Sequence, residues 1–94
     1  MISDDEAKAR ILLKLFKRGK WGGSHTSFEN LKKGWNPRDL GKEGYRRIDN
    51  LGRELIKQGF LLSKPTSYGL EVSLNSRFSK EIIDIVRNFY PNET

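Results

Sequence analysis

Residues 37–74 constrain this chain more than any other stretch. Between Pro37 and Gln58 the sequence is rich in lysine and arginine. Its apolar or small residues fall at Leu40, Gly44, Ile48, Leu51, Gly52 and Leu55. Spacings of three and four put those positions on one side of a helix. Gly59 offers a stop. Two short runs follow, residues 60–64 and 70–74, in which Phe60 and Leu62 alternate with Leu61 and Ser63, and Leu70, Val72 and Leu74 alternate with Glu71 and Ser73. That period of two is the period of a strand. Between them lies a five-residue connection, Pro65-Thr66-Ser67-Tyr68-Gly69, with a proline that presets φ and a glycine that can take positive φ. The sequence therefore predicts a basic helix followed directly by a hairpin.

The flanks supply more helix. Ala7, Ile11, Leu12, Leu15 and Phe16 form an apolar stripe of helical period, with Ser3 or Asp4 as cap, acids at its start, and Lys17, Arg18 and Gly19 at its end. Residues 20–25 are a connector in which Trp21 can lay its ring on the core, and where a short strand could pair with the hairpin. Thr26 and Glu29 have the spacing of a capping box, which predicts a short helix over residues 27–33 burying Phe28 and Leu31. Residues 33–36 then turn, and Asn36 caps a helix opened by Pro37. Gly41, Gly44 and Gly52 are out of place in that helix, each costing about 0.5–1 kcal/mol against alanine. Gly52 lies on the inward stripe and would permit close packing. For Gly41 and Gly44, either the helix begins near Lys42 or the backbone there approaches something closely. After the hairpin, Asn75 or Ser76 caps a last helix carrying Phe78, Ile82, Ile83, Ile85, Val86, Phe89 and Tyr90 up to Pro91. These cover more than one stripe, so the helix needs two partners. Asn92-Glu93-Thr94 matches a glycosylation sequon but reads as a frayed tail.

Helix, connector, helix, turn, helix, hairpin, helix is the order of an α+β winged helix-turn-helix. The expectation is a three-helix core, a two- or three-stranded β-wing and a C-terminal helix, in a single domain spanning residues 1–94. A chain of 94 residues buries only about 60–65% of its unfolded surface, which leaves little room for a catalytic pocket. No apolar run approaches the roughly 18 residues of a membrane span, and the acidic start is not that of a signal peptide. With no cysteine there are no disulfides or thiolate metal sites. The chain is expected in the cytoplasm, away from membranes. Its net charge of +6 is unevenly placed: residues 1–58 carry 14 Lys and Arg against 8 Asp and Glu, while residues 59–94 carry four of each. A basic half suggests an anionic partner.

The outer face of the basic helix carries Lys42, Arg46, Asn50, Arg53 and Lys57, all on one side at 100° per residue. Arg46 and Asn50 are of the types that read guanine and adenine edges, and Arg38 and Arg47 beside them suit phosphates. The competing reading is a solvated face balanced by Asp39, Glu43, Asp49 and Glu54. In the hairpin, Lys64, Thr66, Ser67 and Tyr68 suit phosphate and sugar contacts, unless Tyr68 folds back on the sheet. His25, the only histidine, lacks ligand companions and is expected to hydrogen-bond within its turn. No nucleophile constellation or phosphate loop is present, so neither enzyme activity, nor a cofactor, nor a metal is expected. The expected partner is double-stranded DNA, in a transcriptional regulator. An RNA-binding role and a protein-interaction module docking through the last helix are the alternatives. A homodimer through Ile82, Ile83, Val86, Phe89 and Tyr90 would match paired half-sites.

Residues 20–27 (Lys-Trp-Gly-Gly-Ser-His-Thr-Ser) and 64–69 (Lys-Pro-Thr-Ser-Tyr-Gly), with Val72-Ser73-Leu74-Asn75 after them, resemble segments of small stand-alone archaeal winged-helix proteins. The resemblance runs over nearly the whole chain. It implies the winged-helix fold and, by analogy with winged helices generally, a DNA-binding regulator. It implies no catalytic residues, and the 21–27 segment is not part of the general winged-helix pattern.

Overall fold

The computed structural model describes residues 1–94. It is an α+β arrangement of four α-helices, one a single turn, and a three-stranded antiparallel sheet. In chain order these are α1 (Asp4–Lys17), β1 (Thr26–Ser27), a 3-10 helix (Phe28–Lys32), α2 (Pro37–Leu40), α3 (Tyr45–Lys57), β2 (Leu61–Thr66), β3 (Gly69–Leu74), a 3-10 turn (Ser76–Phe78), α4 (Ser79–Phe89) and a last 3-10 turn (Pro91–Glu93). No helix is long and apolar enough to cross a membrane.

α1 starts at the Ser3 cap, whose hydroxyl accepts from the Glu6 N–H at 3.1 Å. Its stripe buries Ala7, Ile11, Leu12 and Leu15 against α3 and α4. Beyond it the Trp21 ring meets Phe16 edge-on at 6.3 Å, and Trp21 itself bridges to Leu74. β1 then pairs with β3, Thr26 opposite Val72. This pairing overturns the Thr26–Glu29 capping box. Thr26 is held in the strand, so the cap moves one residue on: the Ser27 hydroxyl accepts from the Glu29 N–H at 3.2 Å. The turn after it is also more than a turn, because Trp35 is buried and its indole N–H donates to the Leu31 carbonyl at 2.6 Å.

The helix expected over residues 37–58 is two helices. Asn36 caps α2 by accepting from the Arg38 N–H at 2.9 Å. Gly41 and Gly44 then take φ of +74° and +59°, where an α-helix cannot pass and other residues are strained. These two glycines end one helix and admit the next at Tyr45. Gly52 has the different role expected of it: a Cβ there would lie 2.9 Å from the Phe28 ring and 3.3 Å from Leu31. That absence of a side chain lets α3 sit directly on the 3-10 helix.

The hairpin is tighter than the sequence suggests. Thr66 pairs with Gly69, leaving a two-residue turn, Ser67-Tyr68, in place of the five-residue connection. The sheet order is β1–β3–β2, so β3 is central and β2 is an open edge, the place where a strand tolerates a proline such as Pro65. Leu61, Val72 and Leu74 face the core. Ser73 is buried on the other face, its hydroxyl donating to the Gly22 carbonyl at 2.7 Å.

α4 closes the core with Ile82 and Val86, both fully buried. Those two residues therefore cannot form the homodimer contact expected of them, since the chain's own core occupies them. Tyr90 is also engaged, accepting from the Arg10 guanidinium at 2.9 Å and donating to Glu6 at 3.0 Å. Of the five, Ile83, Phe89 and Tyr90 keep part of their surface. The tail is not frayed: Glu93 pairs with Lys17 at 2.7 Å and Thr94 accepts from Arg87 at 3.1 Å.

Gly52→Ala is expected to destabilise the protein by about 1 kcal/mol in urea denaturation, because over-packing against a buried ring outweighs the helix propensity regained. Equal or greater stability would mean that the Phe28 ring moves aside at no cost.

Candidate nucleic-acid interface

α3 is a helix whose inner face (Ile48, Leu51, Gly52, Leu55) is buried and whose outer face is open. Arg46, Asn50, Arg53 and Lys57 lie on that outer face and are all exposed. Lys42 does not join them on the helix, because it sits in the glycine-bounded turn before α3; it is exposed there. Arg38 is exposed on α2. Of these cations, Arg38, Lys42, Arg46 and Lys57 form no ion pair within 4.0 Å, and neither does Lys64.

Arg47 departs from its expected role as a phosphate contact. It is only 5% exposed. Its guanidinium donates to Asp4 at 2.8 and 3.0 Å, to the Asp39 carbonyl at 2.9 Å, and to the Ile2 carbonyl. The sequence held the signal for this: Arg47 stands four residues before Leu51 and eight before Leu55, on the flank of the buried stripe. A buried guanidinium with its donors occupied is part of the scaffold.

The acids of the same region are largely engaged. Asp49 accepts from Arg53 at 2.8 Å and pairs with Lys32 at 3.0 Å, Glu54 takes Lys8 at 2.9 Å, and Asp39 takes Arg10 at 3.1 Å. The bonds from Arg53 and Lys32 hold the Asp49 carboxyl below the usual carboxylate range, and those from Asp49 and Glu29 raise the Lys32 ammonium. Arg53 also stacks on the Phe28 ring at 5.0 Å. Arg53 is thus locally balanced and braced, while Arg46 and Lys57 carry unbalanced charge. Glu43, in the turn, is the one acid of the segment without a cation partner.

At the hairpin, Lys64 stands opposite Glu71 across the strands without closing an ion pair. Thr66 is less available than expected: its hydroxyl donates to the Gly69 carbonyl at 2.7 Å and accepts from the Tyr68 N–H at 3.2 Å, so it braces the turn. Ser67 is exposed, and Tyr68, far from folding back on the sheet, is 99% exposed. Tyr45, which the periodicity argument passed over, opens α3 with half its surface in water. It lines a shallow depression with Glu29, Lys32, Lys33 and Gly34. No group of three or more His, Asp or Glu side chains is gathered that could hold a metal ion.

Compared with known proteins, the chain matches no protein-family model, and no curated protein or solved structure is similar enough to count as a match.

Two measurements follow from these geometries. Arg47→Met should lower the unfolding free energy by about 2–3 kcal/mol, through the buried carbonyls left without donors; a loss below about 0.5 kcal/mol, the size of an ordinary surface change, would return Arg47 to the surface. The Asp49 carboxyl titrates lower in the folded chain than in the unfolded one, near 4. Its stabilisation is therefore complete above about pH 4 and is lost as the pH falls through the folded-state value. Urea midpoints of the wild type and Asp49→Asn should converge as the pH drops below that point; a constant gap would show that the carboxylate charge is not what the pair contributes.

Proposed function

We propose that this chain is a winged helix-turn-helix protein that binds double-stranded DNA and acts as a transcriptional regulator. In this reading α3 enters the major groove, and the β2–β3 hairpin lies beside it as the wing. The observation that carries the proposal is the outer face of α3. Arg46 and Lys57 are exposed and unpaired there, while the acids of the same helix are engaged by Arg53, Lys32 and Lys8. The face keeps an unbalanced positive charge on a rigid helix, beside a projecting hairpin. The element order and the sheet order β1–β3–β2 support the same reading.

The residues divide by role. Arg46 and Asn50 are the base readers: a guanidinium can donate twice to guanine, and an amide can pair with adenine. Lys57, Lys42, Arg38 and Lys64 contact phosphates, with Arg53 held in place by Asp49 and Phe28. Arg47 supports α3 from behind and touches no DNA.

Fluorescence anisotropy on labelled duplex DNA, with structured RNA beside it, tests this. Duplex affinity should fall steeply with salt, with a slope set by the phosphates neutralised. Arg46→Ala should cost about 1–3 kcal/mol on a preferred site, and Lys57→Ala should weaken all duplexes alike and reduce the salt slope. Tighter, salt-sensitive binding to the RNA would transfer the same face to RNA. Absence of binding to either at low salt would make it a solvated face and reject the proposal.

A further inference from the structure

The hairpin tip does not look like a phosphate contact. Its side chain is an aromatic ring, Tyr68, 99% exposed at the apex of a two-residue turn. The ring touches nothing, yet the backbone that carries it is held. Thr66 bonds both to the Tyr68 N–H and to the Gly69 carbonyl, and Thr66 and Gly69 close the strand register on either side. With the backbone of the tip already braced, docking has only the ring's own rotamers to order, so the tip is prepared for a partner that offers a flat apolar face.

The surroundings favour a nucleic acid base. No acidic residue occurs from Phe60 to Leu70, and the nearest charges in sequence, Glu71 and Lys64, stand opposite each other across the strands, away from the tip, without closing an ion pair. The ring's sequence neighbours are small, Ser67 and Gly69, so the tip is narrow. A protein hot spot sits instead within a rim of packed neighbours. The choice of tyrosine also matters. A cation at the tip would gain from the phosphates of any duplex, whereas an aromatic ring gains mainly by stacking. Stacking within a paired duplex first requires that two bases be parted, at a cost. It comes free only where bases are already unstacked, at a fork, a mismatch or an unpaired stretch.

We propose that Tyr68 is a stacking wedge that inserts at unpaired bases, so that the protein prefers DNA with an opened junction to a perfect duplex. This rests on the reading of the chain as a DNA-binding winged helix. α3 supplies affinity for the paired arm, and the tip reads the junction beside it.

The test compares a fully paired duplex with a fork that shares its paired sequence and carries 2-aminopurine at the first unpaired position. Affinity is read by anisotropy, and stacking by 2-aminopurine emission. The wild type should bind the fork more tightly and quench the probe. Tyr68→Ala should weaken fork binding by roughly five- to a hundred-fold, with little change on the duplex, and should abolish the quench. Tyr68→Phe, which keeps the ring, should behave as the wild type. Folding of the variants is not at issue, since the side chain makes no contact within the chain. If wild type and Tyr68→Ala bind duplex with the same salt dependence and show the same fork-to-duplex ratio, the wedge is wrong and the DNA reading stands. If the wild type binds neither DNA at low salt, both fall together.

Discussion

The position of α3 depends on one buried guanidinium. Arg47 reaches Asp4, the Ile2 carbonyl and the Asp39 carbonyl, and so joins the start of the chain, the single turn of α2 and the first turn of α3. The joint is needed because Gly41 and Gly44 interrupt the helix. With no continuous hydrogen-bond ladder from α2 into α3, the chain alone does not set the direction in which α3 departs. Arg10 repeats the device from the other side. It donates to Tyr90, Asp39 and Glu6, with the Trp35 ring 5.3 Å away. Burial works against its charge, but the hydrogen bonds to Tyr90 and Asp39 outweigh that and raise its proton affinity. Asp39 serves both arginines, one through its carbonyl and one through its carboxylate.

These ties decide where charge remains. Asp39, Asp49 and Glu54 looked from the sequence like neutralising partners spread over a basic helix. In the fold each bonds a specific cation: Arg10, Arg53 with Lys32, and Lys8. Two of those cations, Lys8 and Arg10, belong to α1. The acids of α2 and α3 thus hold α1 in place, and Arg46 and Lys57 keep their charge. A surface ion pair contributes little stability on its own. Its larger effect here is on the distribution of the net +6 over the surface.

Much of the scaffold was legible because it follows from local rules. The α1 stripe, the Ser3 and Asn36 caps, the inward run of Ile48, Leu51 and Leu55, and the close approach at Gly52 all depend on spacing of three or four, or on one residue's own chemistry. Several of the errors share a cause: in each, a distant partner overrides the residue's local role. Thr26 has the form of a cap but is taken by β3. Trp35 lies in a turn yet fills the core. Arg47 resembles its neighbour Arg46 in type and differs by 100° around the helix, which is enough to turn it from solvent to a buried site. Ile82 and Val86 looked available to a second chain until the first chain's own core was seen to need them.

The sequence by itself determined the order of the elements, their amphipathic faces and the excess of basic charge, because these depend on residue type and periodicity over a turn or two. Only the tertiary structure decided which cations are bound inside and which face water, and which residues of α4 the chain's own core takes. Those outcomes depend on groups far apart in the chain, such as Ile2 and Arg47 or Gly22 and Ser73, whose meeting is set by packing and leaves no local pattern in the residues themselves.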